Sequence, residues 1–142
     1  MKWVTKRIGN QLKDTSIDMK VLYLPLKKEW YEMIESGVKT EEYREIKPYW
    51  IQRLTRYGNS EKLNGRLYAD FLASSPEVLK YNIENQLMCY SDYTHIKFSY
   101  GYTKRTMIFE LEKITIGEGK PEWGAPNEDV FVIHLGKRIG GK

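Results

Sequence analysis

The chain is poor in the residues that cross-link or metallate small proteins. Cysteine occurs once, at Cys89, and histidine twice, at His95 and His134. One thiol excludes an intrachain disulfide and a multi-cysteine zinc site, and it fits a reducing, cytoplasmic setting. With so few soft ligands, no metal or other cofactor is implied. Long apolar runs are missing as well, so neither a signal peptide nor a membrane span is expected, and no membrane partner. No internal repeat or low-complexity tract is visible. A strong charge bias through the body of the chain is also lacking. The net charge is +4, but residues 1–20 and 137–142 each contribute +3, and residues 21–136 sum to −2. Basic ends of this kind can hold a phosphate backbone, yet global charge alone does not specify nucleic acid.

What is present is a globular composition over 142 residues, 41% hydrophobic and 13% aromatic, the size of one domain. Eleven tyrosines and four tryptophans exceed what a small core needs. Their polar tips suit pockets and interfaces as well as cores. Residues 1–18 lack a sustained period and read as an N-terminal arm, partly ordered by Trp3 and Ile8. Residues 19–142 read as a single domain.

"VLYLPLKK" (21–28) is strand-like, with Pro25 at a strand end or edge because it cannot donate a ladder hydrogen bond. Leu26, Trp30, Met33 and Ile34 then define one apolar helix face, and Gly37 suits a left-handed residue closing that helix. "TEEYRE" reads as a strand. Pro48 opens a second helix with Ile51 and Leu54 inward and Gly58 near its end. "GRLYADFL" (65–72) reads as a strand. "SSPEVLKYNIENQL" (74–87) reads as a helix capped by Ser75, with Leu79, Ile83 and Leu87 as its stripe. "THIKFSYGY" leads as a strand into a turn at Gly101, and "RTMIFELEKITI" follows as a long strand. In it Met107, Phe109 and Leu111 are odd-numbered, whereas Ile114 and Ile116 are even. A period of two cannot bury both sets on one face, so a bulge or bend is expected near Glu112–Lys113. "VFVIHLGKRI" closes the chain as a strand. Irregular alternation excludes a doubly wound parallel sheet. It points to an α+β class, a mixed β-barrel or curved sheet with short peripheral helices.

The chemistry concentrates in "GVKTEEYR". On a strand, Thr40, Glu42 and Arg44 share one face, while Glu41 and Tyr43 share the other. Lys39 stands at the strand entry. Two cations around a carboxylate can bind phosphate or orient a base edge, and a neighbouring Arg can lower a lysine pKa. The same spacing also fits a solvated edge strand carrying an ordinary ion pair. Glu110 and Glu112 share one strand face, either as acid–base partners or as a solvent-facing edge. "YGYTKR" places Tyr100 and Tyr102 beside Lys104 and Arg105, a combination suited to stacking bases and holding phosphates, or a plain hairpin loop. Trp50 and Arg53 fall near one helix side, Trp50 as core or ligand contact. Trp123 reads as a loop anchor, His134 as structural or exposed, and Cys89 as a buried small hydrophobe.

The pattern Gly-x-Lys-x-x-Glu-x-Arg, carried by Gly37, Lys39, Glu42 and Arg44, resembles the signature of the ASCH (activating-signal-cointegrator homology) family, within the PUA-like superfamily. "LYLPLKKEWYEMIESG", "EIKPYWIQRL", "FSYGYTKRTMIFELEKITIGEG" and "EWGAPNEDVFVIHLG" extend the resemblance over about residues 21–139, to a bacterial or phage-type branch. The resemblance implies a PUA-like β-barrel with the signature residues lining a cleft that takes RNA or a nucleotide-like ligand. Lys39, Glu42, Arg44, Trp50, Tyr100, Tyr102, Lys104 and Arg105 are then the expected ligand-binding residues. Some small relatives hydrolyse the amide of acetylated cytidine, and others are reported nucleases. In those amidohydrolases the lysine matching Lys39 is catalytic, a threonine is the nucleophile and a later glutamate assists. Glu42 stands where that threonine would be, Thr40 lies two residues earlier, and Glu110 would be the later carboxylate. The expected function is therefore ligand binding, with hydrolysis of a modified nucleoside or RNA as the alternative. A protein-interaction domain that keeps the fold without the ligand is a third reading.

Overall fold

Three leucines at every second position, Leu22, Leu24 and Leu26, give the first strand its buried face. A computed structural model describes residues 18–57 and 71–141, and Val21–Leu26 is strand β1 within it. Each such leucine stabilises the fold by about 1.5–3 kcal/mol through area removed from water. Helix α1, Lys28–Glu35, buries Tyr31 and Ile34, while Trp30 and Met33 are half-buried. Gly37, at φ +87°, ends the turn in the left-handed region that favours glycine. Then follow β2 (Glu41–Arg44), α2 (Pro48–Leu54), β3 (Thr55–Tyr57), α3 (Pro76–Glu84), β4 (Met88–Tyr90), β5 (His95–Tyr100) and β6 (Thr106–Glu118). A 3-10 turn (Pro121–Trp123) and β7 (Asp129–Gly141) complete the order.

The architecture is α+β. Five strands in the order β1-β5-β6-β7-β2 form a curled half-barrel, and β3 pairs with β4 in a separate two-stranded ribbon. β1 runs parallel to β5; the other pairings are antiparallel. α1, α2 and α3 are the short helices of the elements above, and Ile34, Ile51 and Leu79 bring each of them into one core with Phe98, Met107 and Phe131.

The expected break in β6 is present. Leu111 faces Leu135 and Lys113 faces His134, so two steps on β6 oppose one on β7. The slip lets Met107 and Phe109 share the core with Ile114 and Ile116. Both faces of β7 are covered. Phe131 and Ile133 join the main core, while Val130 and Val132 pack with Tyr43, Ala125 and Trp123 in a second cluster on the other face.

Other expectations are corrected. Phe71 and Leu72 are helical, not strand; residues 65–70 lie outside the described residues, as do Gly58 and residues 1–17. α2 ends at Leu54 and passes straight into β3. Ser75 caps α3 by accepting from the Val78 amide at 3.3 Å. The helix stops at Glu84, which leaves Leu87 exposed rather than in the stripe. Cys89 is a free thiol only half-buried, because β4 sits in the small ribbon and not in the main sheet. No helix among the described residues is long and apolar enough to cross a membrane.

Candidate functional site

β2 is an edge strand of four residues, and its sequence EEYR sends Glu42 and Arg44 to one side, Glu41 and Tyr43 to the other. An edge strand is usually half solvated. Here the loop after β6 and helix α1 cover it. Lys39 is 2% exposed and Glu42 4%. A lysine so deep requires partners for its charge and its three donors. The Lys39 ammonium donates to Glu42 Oε1 at 2.8 Å and to the Trp123 carbonyl at 2.5 Å. It also lies 4.6 Å from the centre of the Trp30 ring and 5.4 Å from that of Tyr43. Desolvated cation–π contacts of this kind contribute up to about 2 kcal/mol.

Glu42 joins the two cations. Its Oε1 also accepts the Tyr43 amide at 3.1 Å, and its Oε2 accepts Arg44 Nη1 at 2.9 Å. Arg44 Nη1 bonds the Tyr43 carbonyl at 2.7 Å as well. The Arg44 guanidinium lies 5.1 Å over Trp50. Its side chain is 19% exposed, and Nε and Nη2 make no hydrogen bond among the described residues. Of the three motif charges, only Arg44 reaches outward. Beside it lies a cleft of about 290 Å³ bordered by Tyr43, Arg44, Glu45, Gly124, Ala125 and Val130.

The far face of β2 carries a second polar chain. The Tyr43 hydroxyl donates to Glu41 Oε1 at 2.8 Å and accepts the Lys120 amide at 3.1 Å. Burial drives its pKa well above the usual tyrosine value; the Lys120 amide pulls it down, and Glu41 adds to the rise. Glu41 Oε2 is 3.5 Å from His134 Nδ1, and His134 Nε2 is 2.9 Å from Thr115 Oγ1. The expected structural role of His134 is thus a link between β2, β6 and β7.

The other expected ligand residues are not gathered here. Arg105 pairs with Glu35 of α1 at 2.8 Å and lies over the Tyr31 and Tyr100 rings. Tyr100 meets Tyr31 edge-on at 5.3 Å. Tyr102 is 96% exposed, and Lys104 is also exposed. No hydrogen bond, ion pair or ring contact joins this hairpin to Lys39, Glu42 or Arg44 among the described residues. Thr40 is exposed, and Glu110 and Glu112 lie exposed on β6. No group of three or more His, Cys, Asp or Glu able to hold a metal ion occurs among the described residues.

Trp30, Tyr43 and the Trp123 carbonyl were not foreseen as the lysine's cage. The only local signal was the turn-rich "PEWGAP", which marks a loop anchor, and Trp123 does anchor its loop. Comparison of the chain with protein-family models, with curated proteins and with solved structures yields no match.

Proposed function

We propose that the chain is an ASCH-type, PUA-like domain that binds RNA or a nucleotide-like ligand beside β2, in the cytoplasm. The observation that carries the reading is Arg44, held in place by Glu42 and Trp50, with free N–H groups beside an open cleft. A planar guanidinium with unused donors suits a phosphate, and an adjoining indole suits a base. Lys39 and Glu42 serve this site as a buried support instead of as direct ligands.

The hydrolytic alternative has less behind it. The Lys39 ammonium is held by Glu42 and the Trp123 carbonyl, and its side chain is 1% exposed. A general base has to reach its proton. Incubation with acylated cytidines is therefore expected to give no turnover.

Titration of the full chain with mononucleotides and short RNAs at low salt tests the reading. Arg44→Ala is expected to weaken binding about tenfold and to flatten the salt dependence by roughly one phosphate contact. Absence of any binding by the unaltered protein at low salt would refute it.

A further inference from the structure

A second cavity, basic in its lining, has a volume of about 470 Å³ and is bordered by Lys20, Tyr49, Arg53, Arg56 and Tyr93. Arg53 and Arg56 are exposed and have no ion pair among the described residues. Lys20 is paired at 2.6 Å with Asp92 at the rim. Three cations thus converge on one hollow with one acid, Asp92, beside them. With a single carboxylate against three cations the hollow keeps net positive charge, so an anion entering it is stabilised there.

The cavity is also joined to the Arg44 cleft by continuous contacts. Arg44 lies over Trp50; Trp50 meets Tyr49 edge-on at 4.8 Å; Arg53 lies over Tyr49 at 4.4 Å. Lys20, also bordering the cavity, lies 5.2 Å over Tyr93. The sequence PYWIQR makes this possible. Adjacent Tyr49 and Trp50 stand on the first turn of α2, and Arg53 follows Tyr49 by four positions, on the same face. Tyr49 is 55% exposed, so part of its ring is open to a stacking partner.

We infer that α2 and the adjoining β3 carry a strip for single-stranded nucleic acid, in which Arg53 and Arg56 hold a phosphate in the second cavity and Tyr49 stacks a base between that cavity and Arg44. Alternating cations and rings match a strand's alternating phosphates and bases. This rests on the nucleotide reading of the Arg44 cleft and extends it. The ligand is an oligonucleotide spanning two subsites rather than a mononucleotide filling one.

The test is fluorescence anisotropy of the full chain with labelled oligouridylate of eight residues, alongside competition by uridine monophosphate and by polyglutamate. Arg53→Ala with Arg56→Ala is expected to weaken the octamer at least tenfold, to flatten its salt slope by roughly 0.7, and to leave the monophosphate unchanged. Both arginines are exposed, so the fold should hold. Arg53→Lys with Arg56→Lys should restore the salt slope, and Tyr49→Phe should bind where Tyr49→Ala does not. Octamer binding indifferent to Arg53 and Arg56 overturns the strip, as does polyglutamate competing as well as RNA. Octamer binding that needs Arg53 and Arg56 but not Arg44 supports the Arg53–Arg56 subsite alone, refutes the Arg44 cleft and overturns the two-subsite span. Binding that needs only Arg44 supports that cleft and overturns the strip, and no binding at all refutes both.

Discussion

Gly124 stands so close to Trp30 that a Cβ placed on it would come within 2.9 Å of Cζ2 of the indole. The two residues belong to different parts of the chain, yet they close the same cage. Trp30 faces the Lys39 ammonium, and Gly124 directly follows the residue whose carbonyl bonds it. Gly124 has φ +99°, the left-handed region, so a side chain there meets both backbone strain and the ring. Gly124→Ala is expected to lower stability by about 1–3 kcal/mol, read as a lower denaturant midpoint with unchanged slope. A midpoint equal to that of the unaltered protein would mean the loop is not seated against Trp30.

Lys39 and Glu42 should behave as a coupled pair. Removing one partner leaves the other as a buried charge with too few contacts. Lys39→Met is expected to cost about 3–5 kcal/mol, and Glu42→Gln a comparable amount because two cations then lose their shared acceptor. The double variant should cost less than the sum of the singles, by 1 kcal/mol or more, on the order of close coupled residues. Additive costs in urea unfolding would show that the pair is solvated.

Arg44 should separate from them in the same assays. Because Glu42 keeps Lys39, Arg44→Ala is expected to cost only about 1 kcal/mol of stability, the scale of a part-exposed ion pair. Arg44→Lys keeps the charge but not the planar fork over Trp50, so it should recover less than half of the lost ligand affinity. Full recovery by lysine would reduce the role of Arg44 to point charge.

Alkaline pH should unfold the protein through its tyrosines. Burial, opposed by a backbone hydrogen bond at Ile116, pushes Tyr90 from 10.0 up to about 12, and burial also raises Tyr31 and Tyr43. A folded pKa above the unfolded one favours the protonated form in the native state. The contribution is complete below pH 10 and is lost as pH climbs towards 12 and beyond. Tyrosinate absorbance should therefore show a late class of tyrosines that ionise together with loss of structure, and Tyr43→Phe should make stability fall less steeply. A single transition near 10 with structure intact would contradict the buried placement.

Short-range physics made much of this fold legible. The change of parity between Phe109 and Ile114 announced the slip in β6, because alternation leaves no other way to bury both. Ser75 and Gly37 marked their helix ends by side-chain chemistry and by φ. The face shared by Glu42 and Arg44 followed from strand parity alone. What could not be read was depth. The Trp123 carbonyl lies 84 positions from Lys39, and nothing in GVKTEEYR reports that a distant turn will cover it. Tyr43 does point away from Glu42, but into a second cluster instead of into water. Tyr31 was missed for a related reason: its ring is buried against Tyr100 and Arg105 of a hairpin far along the chain. The hairpin's aromatic and basic residues looked like a ligand loop, and half of them are occupied in holding α1.

The half-barrel does not close, so β1 and β2 each leave a margin without a partner strand among the described residues. Such margins are templates for aggregation. Both are blunted here. β1 contains Pro25, which has no N–H to offer an incoming strand, and β2 is four residues long, with charged Glu41 and Arg44 at its ends. The brevity that makes β2 a poor piece of sheet thus also keeps two copies of the chain from zipping together through it. Arg44 thus belongs both to the candidate site and to the guard on this edge.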